Sequence, residues 1–253
     1  DAARPARYLA CIVSRFTPGD PRRVVVGGSP GDPASRPGEV SLVVRTNPRQ
    51  ASRVRDAVED TSAILRYYAS ILGDVPYPSF TLALTEAERP GGHSPAYFAV
   101  LNAVVPTNLV WRNDPVSFDN YPTFFLAHEL AHQWWGQAVG GKNYHEQWIS
   151  EGFAQYFATL YAEKSRSTQV VANVLRQMRQ TAIASSDEGP IYLGYRLGHI
   201  QGDDRIFRAI VYNKGAMVLH MLRRLVGDDR FFAGLRSFYE QFKFRKAGTH
   251  VFR

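Results

Sequence analysis

Residues 124–136 read Phe-Phe-Leu-Ala-His-Glu-Leu-Ala-His-Gln-Trp-Trp-Gly. In a helix, two residues four apart lie on the same face, so His128 and His132 can direct imidazole nitrogens to one metal ion. Glu129 stands beside them as a carboxylate that need not be a ligand. The flanking residues are too apolar for an exposed helix, and histidines in apolar surroundings need polar partners. The stretch therefore favours a metal site over two surface histidines.

A third ligand is needed, because catalytic zinc usually has three protein ligands and an open position for water. Glu151 follows His132 after eighteen intervening residues, within the sequence Trp-Ile-Ser-Glu-Gly-Phe-Ala at 148–154. Those residues can finish the first helix, reverse direction at Gly140-Gly141 and begin a second helix that returns a carboxylate to the imidazoles. The spacing predicts one zinc ion per chain, held by His128, His132 and Glu151.

Composition places the chain among globular proteins. It has 253 residues, 45% of them hydrophobic, which suffices for one large domain or two small ones. The net charge is +7, but the basic residues are mainly scattered arginines, so we expect a solvated basic surface and no nucleic-acid partner. The single cysteine, Cys11, excludes an intrachain disulfide and any zinc site built from several cysteines. No apolar run is long enough to cross a bilayer.

Hydrophobic periodicity changes along the chain. The first part predicts strands and one helix, and the second part predicts helices alone. The predicted strands lie at 8–17, 40–46, 79–85 and 97–105. The predicted helices lie at 51–72, 123–139, 146–164, 168–185, 206–226 and 229–242, with no obvious element after the last. Strands followed by a long helical half predict the α+β class.

The motif His-Glu-Leu-Ala-His-Gln-Trp-Trp-Gly, with Glu-Gly-Phe-Ala beginning at Glu151, resembles the zinc signature of the aminopeptidase N family of gluzincin metallopeptidases, which includes leukotriene hydrolase. Val-Pro-Tyr-Pro at 75–78 and Val-Tyr-Asn-Lys-Gly-Ala at 211–216 match further family landmarks in order. The resemblance covers roughly residues 40–253 and implies a thermolysin-like fold. That fold has a small mixed β-sheet/α lobe, a mainly helical lobe and an active-site cleft between them.

The resemblance also implies a domain division. Residues 1–46 are expected to be the end of an N-terminal β domain and a linker, and residues 47–253 the catalytic domain. We expect the chain to be a fragment without a targeting segment. Most of the N-terminal β domain and a C-terminal helical domain, which would complete the cleft, are expected to be missing from it.

The expected chemistry is hydrolysis of a peptide or protein substrate. Zinc lowers the pKa of a bound water towards about 7, and Glu129 can take the proton as the water attacks a peptide carbonyl. The resemblance gives Tyr212 the task of stabilising the negative charge on the former carbonyl oxygen. A purely structural tyrosine at a helix start is the alternative for Tyr212.

One segment departs from the family pattern. Aminopeptidases of this family carry Gly-Ala-Met-Glu-Asn, whose Glu binds the free α-amine of the substrate. Here residues 91–96 read Gly-Gly-His-Ser-Pro-Ala, which puts Pro95 at the place of that Glu. The proline side chain accepts nothing from an ammonium group, although Glu86 or Glu88 could supply a carboxylate. Gly91, Gly92 and His93 are candidate substrate-binding residues, and a plain turn is the alternative.

Three functions therefore stay open. The first is an aminopeptidase, and the second is an endopeptidase or a peptidase of altered specificity that lacks the amine-binding Glu. The third is a non-catalytic peptide-binding domain with structural zinc. The presence of Glu129 and Tyr212 argues against the third, since a structural site has no use for a base that is not a ligand.

Overall fold

The computed structural model describes residues 4–27, 38–85, 91–102 and 123–252. The chain divides into two compact units, Asp1–Arg112 and Asn113–Arg253. Within the described residues, no helix is long and apolar enough to cross a membrane.

The first unit is built on a mixed five-stranded sheet with the strand order β1-β2-β3-β5-β4. The strands are β1 Arg22–Val26, β2 Gly38–Thr46, β3 Ser79–Thr85, β4 Gly92–His93 and β5 Phe98–Asn102. The three central strands β2, β3 and β5 run parallel, whereas β1 and β4 pair antiparallel at the two edges. Burial alternates along β2, as expected for a strand with one face on the core.

Helix α1, Val54–Leu72, connects the parallel strands β2 and β3. Parallel neighbours need such a crossover, since a tight turn cannot join them. The core face of α1 contains Ile64, Leu65 and Tyr68, and the helix packs on β1 and β2. Gly73 ends the helix with a φ of 75°, a left-handed conformation that favours glycine.

The N-terminal strand prediction was wrong in position. Residues 8–17 form no strand, and the side chains of Leu9 and Val13 are almost fully exposed. The strand lies instead at β1, between the predicted strands at 8–17 and 40–46, in a stretch rich in glycine and proline. Strand-forming residues alone did not decide the structure, because a strand also needs a partner edge. The end of the strand predicted at 97–105 lies outside the described residues.

The second unit is mainly helical. Its principal elements are α2 Thr123–Ala131, α3 Glu151–Ser165, α4 Thr168–Ala184, α5 Leu197–Gly202, α6 Asp204–Phe207, a π-helical segment Arg208–Lys214, α7 Gly215–Val226 and α8 Asp228–Phe242. The elements α6, the π segment and α7 follow one another without a loop and together correspond to the helix predicted at 206–226. A 3₁₀ turn, Tyr144–Ile149, precedes α3.

A two-stranded parallel ladder in this unit was not predicted. It pairs β6, Val139–Gly141, with β7, Arg245–Ala247. Both strands have three residues, so neither carries a readable period-two pattern. The chain after α8 thus has an ordered element where the sequence indicated none.

Aromatic side chains fill the core around Trp135. Its ring lies 4.4 Å from the ring of Phe153, measured between centroids, and 5.3 Å from that of Phe157. All three side chains are fully buried. The cluster packs the residues that follow α2 against α3. The predicted metal ligands lie on α2, directly after it and at the start of α3.

The α+β class, with a small mixed sheet followed by a helical half, is confirmed. Strand β2 lies in the interior of the sheet, hydrogen-bonded to β1 and β3. The domain boundary drawn after residue 46 stays a prediction.

Candidate metal centre

Three side chains from α2, the residue after it and the start of α3 converge on one point. Nε2 of His128 and Nε2 of His132 are 3.1 Å apart, and Oε2 of Glu151 is 3.3 Å from each of them. A tetrahedral ion with bonds of 2.0–2.1 Å separates neighbouring ligand atoms by about 3.3 Å. Among the described residues, these three form the group of histidine, cysteine and carboxylate side chains able to hold a metal ion. Their spacing and chemistry fit zinc.

His132 is oriented through its second ring nitrogen. Nδ1 lies 3.0 Å from the carbonyl oxygen of Trp135 and 3.3 Å from the hydroxyl of Ser150. A carbonyl oxygen only accepts hydrogen bonds, so Nδ1 donates to it. In the neutral ring this leaves the lone pair on Nε2, facing Glu151. In the described part of the chain, Nδ1 of His128 is buried without a hydrogen-bond partner.

The chain leaves the regular helix at the metal site, which corrects the helix predicted to continue to residue 139. α2 ends at Ala131. The next backbone hydrogen bonds span three or four residues, as in Trp134 N to Ala131 O at 3.0 Å, and those after Gly136 span five, as in Gln137 N to His132 O at 3.1 Å. Gly136 has a φ of +108°, and a Cβ there would stand 2.4 Å from Oγ of Ser150. Glycine thus allows the turn that brings Ser150 to His132.

Two glycines bring α3 against the helix that carries Tyr212. A Cβ on Gly152 would lie 3.0 Å from Cα of Gly215 and 3.1 Å from the carbonyl oxygen of Val211. The two backbones therefore touch without intervening side chains. This contact sets Glu151, next to Gly152, beside the segment that contains Tyr212.

Tyr212 lies in the π-helical segment. Its ring is parallel to the ring of His128, with an interplanar angle of 8° and 5.7 Å between centroids. Single π-helical turns within α-helices often occur at functional sites, because the wider turn redirects a side chain. The structure thus brings Tyr212 to the predicted ligands.

Burial and neighbouring charges shift the pKa values of three side chains in the cluster. Burial lowers the pKa of His132, but Glu151, Glu129 and the Trp135 carbonyl outweigh it and raise the pKa to about 9. Burial raises the pKa of Glu151, yet His132 and His128 outweigh that effect and hold the pKa far below its usual range. Burial, followed by the nearby charges of Glu151 and Glu129, raises the pKa of Tyr212 well above 10. The carboxylate is therefore ionised and the tyrosine protonated near neutral pH.

Glu129 lies on α2 and is 6% exposed. It is close enough to affect the pKa values of His132 and Tyr212 but is not part of the group of three converging ligand atoms. Glu129 therefore lies beside the cluster as a buried carboxylate that is not one of the three candidate ligands.

The candidate substrate-binding residues lie in the first unit. Gly92 and His93 form the edge strand β4, opposite Leu101 and Val100 of β5. The ring of His93 is exposed and stacks on Tyr8, with Nε2 3.3 Å from the tyrosine hydroxyl. Gly91 directly precedes the strand, and Glu86 and Glu88 lie outside the described residues. The substrate contacts of Gly91, Gly92 and His93 stay a prediction.

Several residues that support the site were not found from the sequence. They include the Trp135 carbonyl, Gly136 and Ser150, which act through His132. Glu146, in the 3₁₀ turn before α3, is a buried carboxylate that was also missed, although its nearness to the apolar pair Trp148-Ile149 is a signal that could have pointed to a buried partner. Its side chain is 4% exposed.

A sequence model described as the peptidase family M1 domain matches residues 113–252. Human Aminopeptidase N is 36% identical over 129 residues, which cover 47% of this chain and 13% of that protein. Aminopeptidase M1-C from Oryza sativa subsp. japonica is 28% identical over 212 residues, 81% of this chain and 24% of that protein. The chain thus spans about a quarter or less of these two relatives.

Solved structures share the fold. The M1 zinc metallopeptidase from Deinococcus radiodurans superposes with a TM-score of 0.62 at 23% identity, over 91% of this chain and 47% of that chain. A mutant of that enzyme bound to the substrate Tyr-Ser-Ala gives a TM-score of 0.60 at 21% identity, over 91% of this chain and 46% of that chain.

The family match covers more than half of the chain and includes every residue of the converging cluster. The chain belongs to peptidase family M1, as the resemblance implied.

Proposed function

We propose that this chain hydrolyses peptide bonds next to a free N-terminus, using one zinc ion held by His128, His132 and Glu151. The observation that carries the proposal is the convergence of their three ligand atoms within 3.1–3.3 Å. The ion, when bound, polarises the substrate carbonyl and lowers the pKa of a coordinated water to about 7. Family membership and the aminopeptidase relatives support this reaction class.

The chain's own residues supply the proton transfers. Glu129 accepts the proton of the attacking water and later delivers it to the departing nitrogen. Tyr212 keeps its proton, because burial and nearby carboxylates raise the pKa of its hydroxyl. It donates a hydrogen bond to the oxygen on which negative charge develops. Its ring stacks on the ring of His128, which keeps the tyrosine beside the proposed ligands.

Glu129→Gln tests the role of the base. The amide keeps the size of the side chain but cannot take a proton, so turnover of Tyr-Ser-Ala should fall by about 10²-fold or more. Zinc content, measured by atomic absorption, should stay at one per chain.

Two other results would contradict the proposal. Full activity in the Glu129→Gln variant would remove the base from the mechanism. A wild-type chain that binds zinc but turns over no peptide would favour a peptide-binding domain with structural zinc.

The second candidate is a peptidase without an N-terminal requirement, favoured by Pro95 at the place of the amine-binding Glu. Proline offers no side-chain acceptor for an ammonium group. Tyr-Ser-Ala and its N-acetylated form distinguish the two candidates. An aminopeptidase should lose the acetylated peptide, whereas equal cleavage of both peptides would favour the second candidate.

A further inference from the structure

The connection between the metal ligands His132 and Glu151 has two parts. The first contains β6, and the second is the 3₁₀ turn Tyr144–Ile149 that leads into α3. Neither part is long enough to be stable alone. Both are bound by one distant stretch, Phe244–Thr249, which we call the clamp.

The clamp binds the first part through the backbone. Phe244 N donates to Ala138 O at 2.7 Å, and Lys142 N donates to Ala247 O at 2.8 Å. Between these bonds, β7 pairs with β6. The backbone leaving the His132 turn is therefore fixed along its length.

The clamp binds the second part through Glu146. Oε2 of this buried carboxylate accepts from Thr249 N at 2.9 Å and from Thr249 Oγ1 at 2.5 Å. The Trp148 indole donates to the same hydroxyl at 2.8 Å. Gly248 makes room for the carboxylate, because a Cβ there would lie 2.8 Å from its Oε1. Hydrogen bonds to an ionised acceptor are stronger than those between neutral groups.

An aromatic residue just beyond the clamp supports the same contact. Phe252, three residues beyond Thr249, packs edge-on against Phe153 with 5.3 Å between ring centroids and against Trp148 with 5.7 Å. Phe153 is two residues from Glu151, so this packing reaches the first turn of the ligand helix.

We propose that Glu146 and Thr249 are positioning residues for the metal site, and that the clamp holds His132 and Glu151 at their ligating distance before the ion arrives. This inference rests on the proposed zinc function. If the clamp opens, part of the binding free energy must be used to reassemble the ligands, and the measured affinity falls. Outer residues that orient metal ligands typically change affinity by about 10-fold to 100-fold.

Thr249→Val tests the proposal, because valine keeps the shape and removes the hydroxyl that joins Glu146 to Trp148. The zinc dissociation constant of the folded chain, measured by competition with a chromophoric chelator, should rise about tenfold. Thr249→Ser, which retains the hydroxyl, should keep the wild-type constant. Thr181→Val is the matched control, since its hydroxyl donates to Gln177 O within α4 at 3.0 Å. It should leave zinc affinity unchanged.

The outcomes separate the two proposals. A wild-type chain that binds no zinc contradicts the proposed function itself. A wild-type chain that binds zinc tightly, with an equal dissociation constant in a less stable Thr249→Val variant, makes the clamp merely structural and overturns the inference.

Hydrogen exchange of the wild-type chain decides the question if Thr249→Val does not fold. Coupling between two sites is reciprocal, so zinc should slow exchange of the Thr249 and Lys142 amides. Unchanged exchange at both amides would overturn the inference.

Discussion

His132 and Glu151 form a charged pair in the metal-free chain. The pKa of His132 is raised to about 9 from its ordinary 6.5, despite burial that acts in the opposite direction. A raised pKa means that the folded chain binds the proton more tightly than the unfolded chain. The contribution to stability is full below pH 6.5 and is lost as pH rises through about 9.

The metal-free chain should therefore become less stable as pH rises from 6.5 to 9. The free energy of unfolding should fall by up to about 1.4 kcal/mol per pH unit for this one proton. Urea unfolding in the presence of a chelator, repeated across this range, measures the change. His132→Gln is the control, and its stability should vary less with pH; equal slopes for both proteins would contradict the assignment.

At the scale of residues, the sequence predicted which side chains converge better than it predicted the groups that orient them. The four-residue spacing of His128 and His132 places both on one face of a helix. Their apolar surroundings indicated that the two imidazoles need a polar partner, such as an ion. The carbonyl of Trp135 carries no such signal, because every residue has one. Glu146 and Thr249 are 103 positions apart, and no local pattern connects them.

At the scale of elements, the crossing of α3 and α7 depends on the absence of two side chains. The contact between Gly152 and Gly215 lies directly beside Glu151, so any increase in helix separation also moves this candidate ligand relative to Tyr212.

Gly152→Ala should force the two helices apart, because its Cβ would meet the Gly215 backbone at 3.0 Å. We expect a loss of about 1–3 kcal/mol in the free energy of unfolding and a marked fall in turnover. Gly234→Ala is the matched control, since no atom lies within 4 Å of a Cβ at that position in α8. It should gain about 0.5–1 kcal/mol from helix propensity. An active, fully stable Gly152→Ala variant would show that the contact tolerates a methyl group.

Element boundaries were predictable where the local signal was strong. Gly73 ended α1 as expected, because a left-handed residue stops a helix in any context. The end of α2 was misplaced by several residues, since its apolar pattern continues through Trp134 and Trp135. Burial of these rings in a turn gives the same pattern as burial in a helix, so periodicity could not distinguish them.

At the scale of the molecule, zinc should stabilise the second unit, because a ligand that binds only the folded state adds to its stability. With free zinc at a hundred times the dissociation constant, the gain is about 2.7 kcal/mol. Zinc should therefore raise the melting temperature by several degrees, as measured by calorimetry with and without the ion. Glu151→Ala should remove most of this shift, and a shift of equal size in that variant would place the ion elsewhere.

The parallel ladder between β6 and β7 has a consequence for folding during synthesis on the ribosome. Synthesis proceeds from the N-terminus, so a ribosome completes His128, His132 and Glu151 long before it reaches Arg245, the partner of Val139. Closing so long a loop is also entropically costly and slow. We expect the nascent chain to expose its candidate metal-binding residues in a loosely organised form until the segment that contains Arg245 has been synthesised.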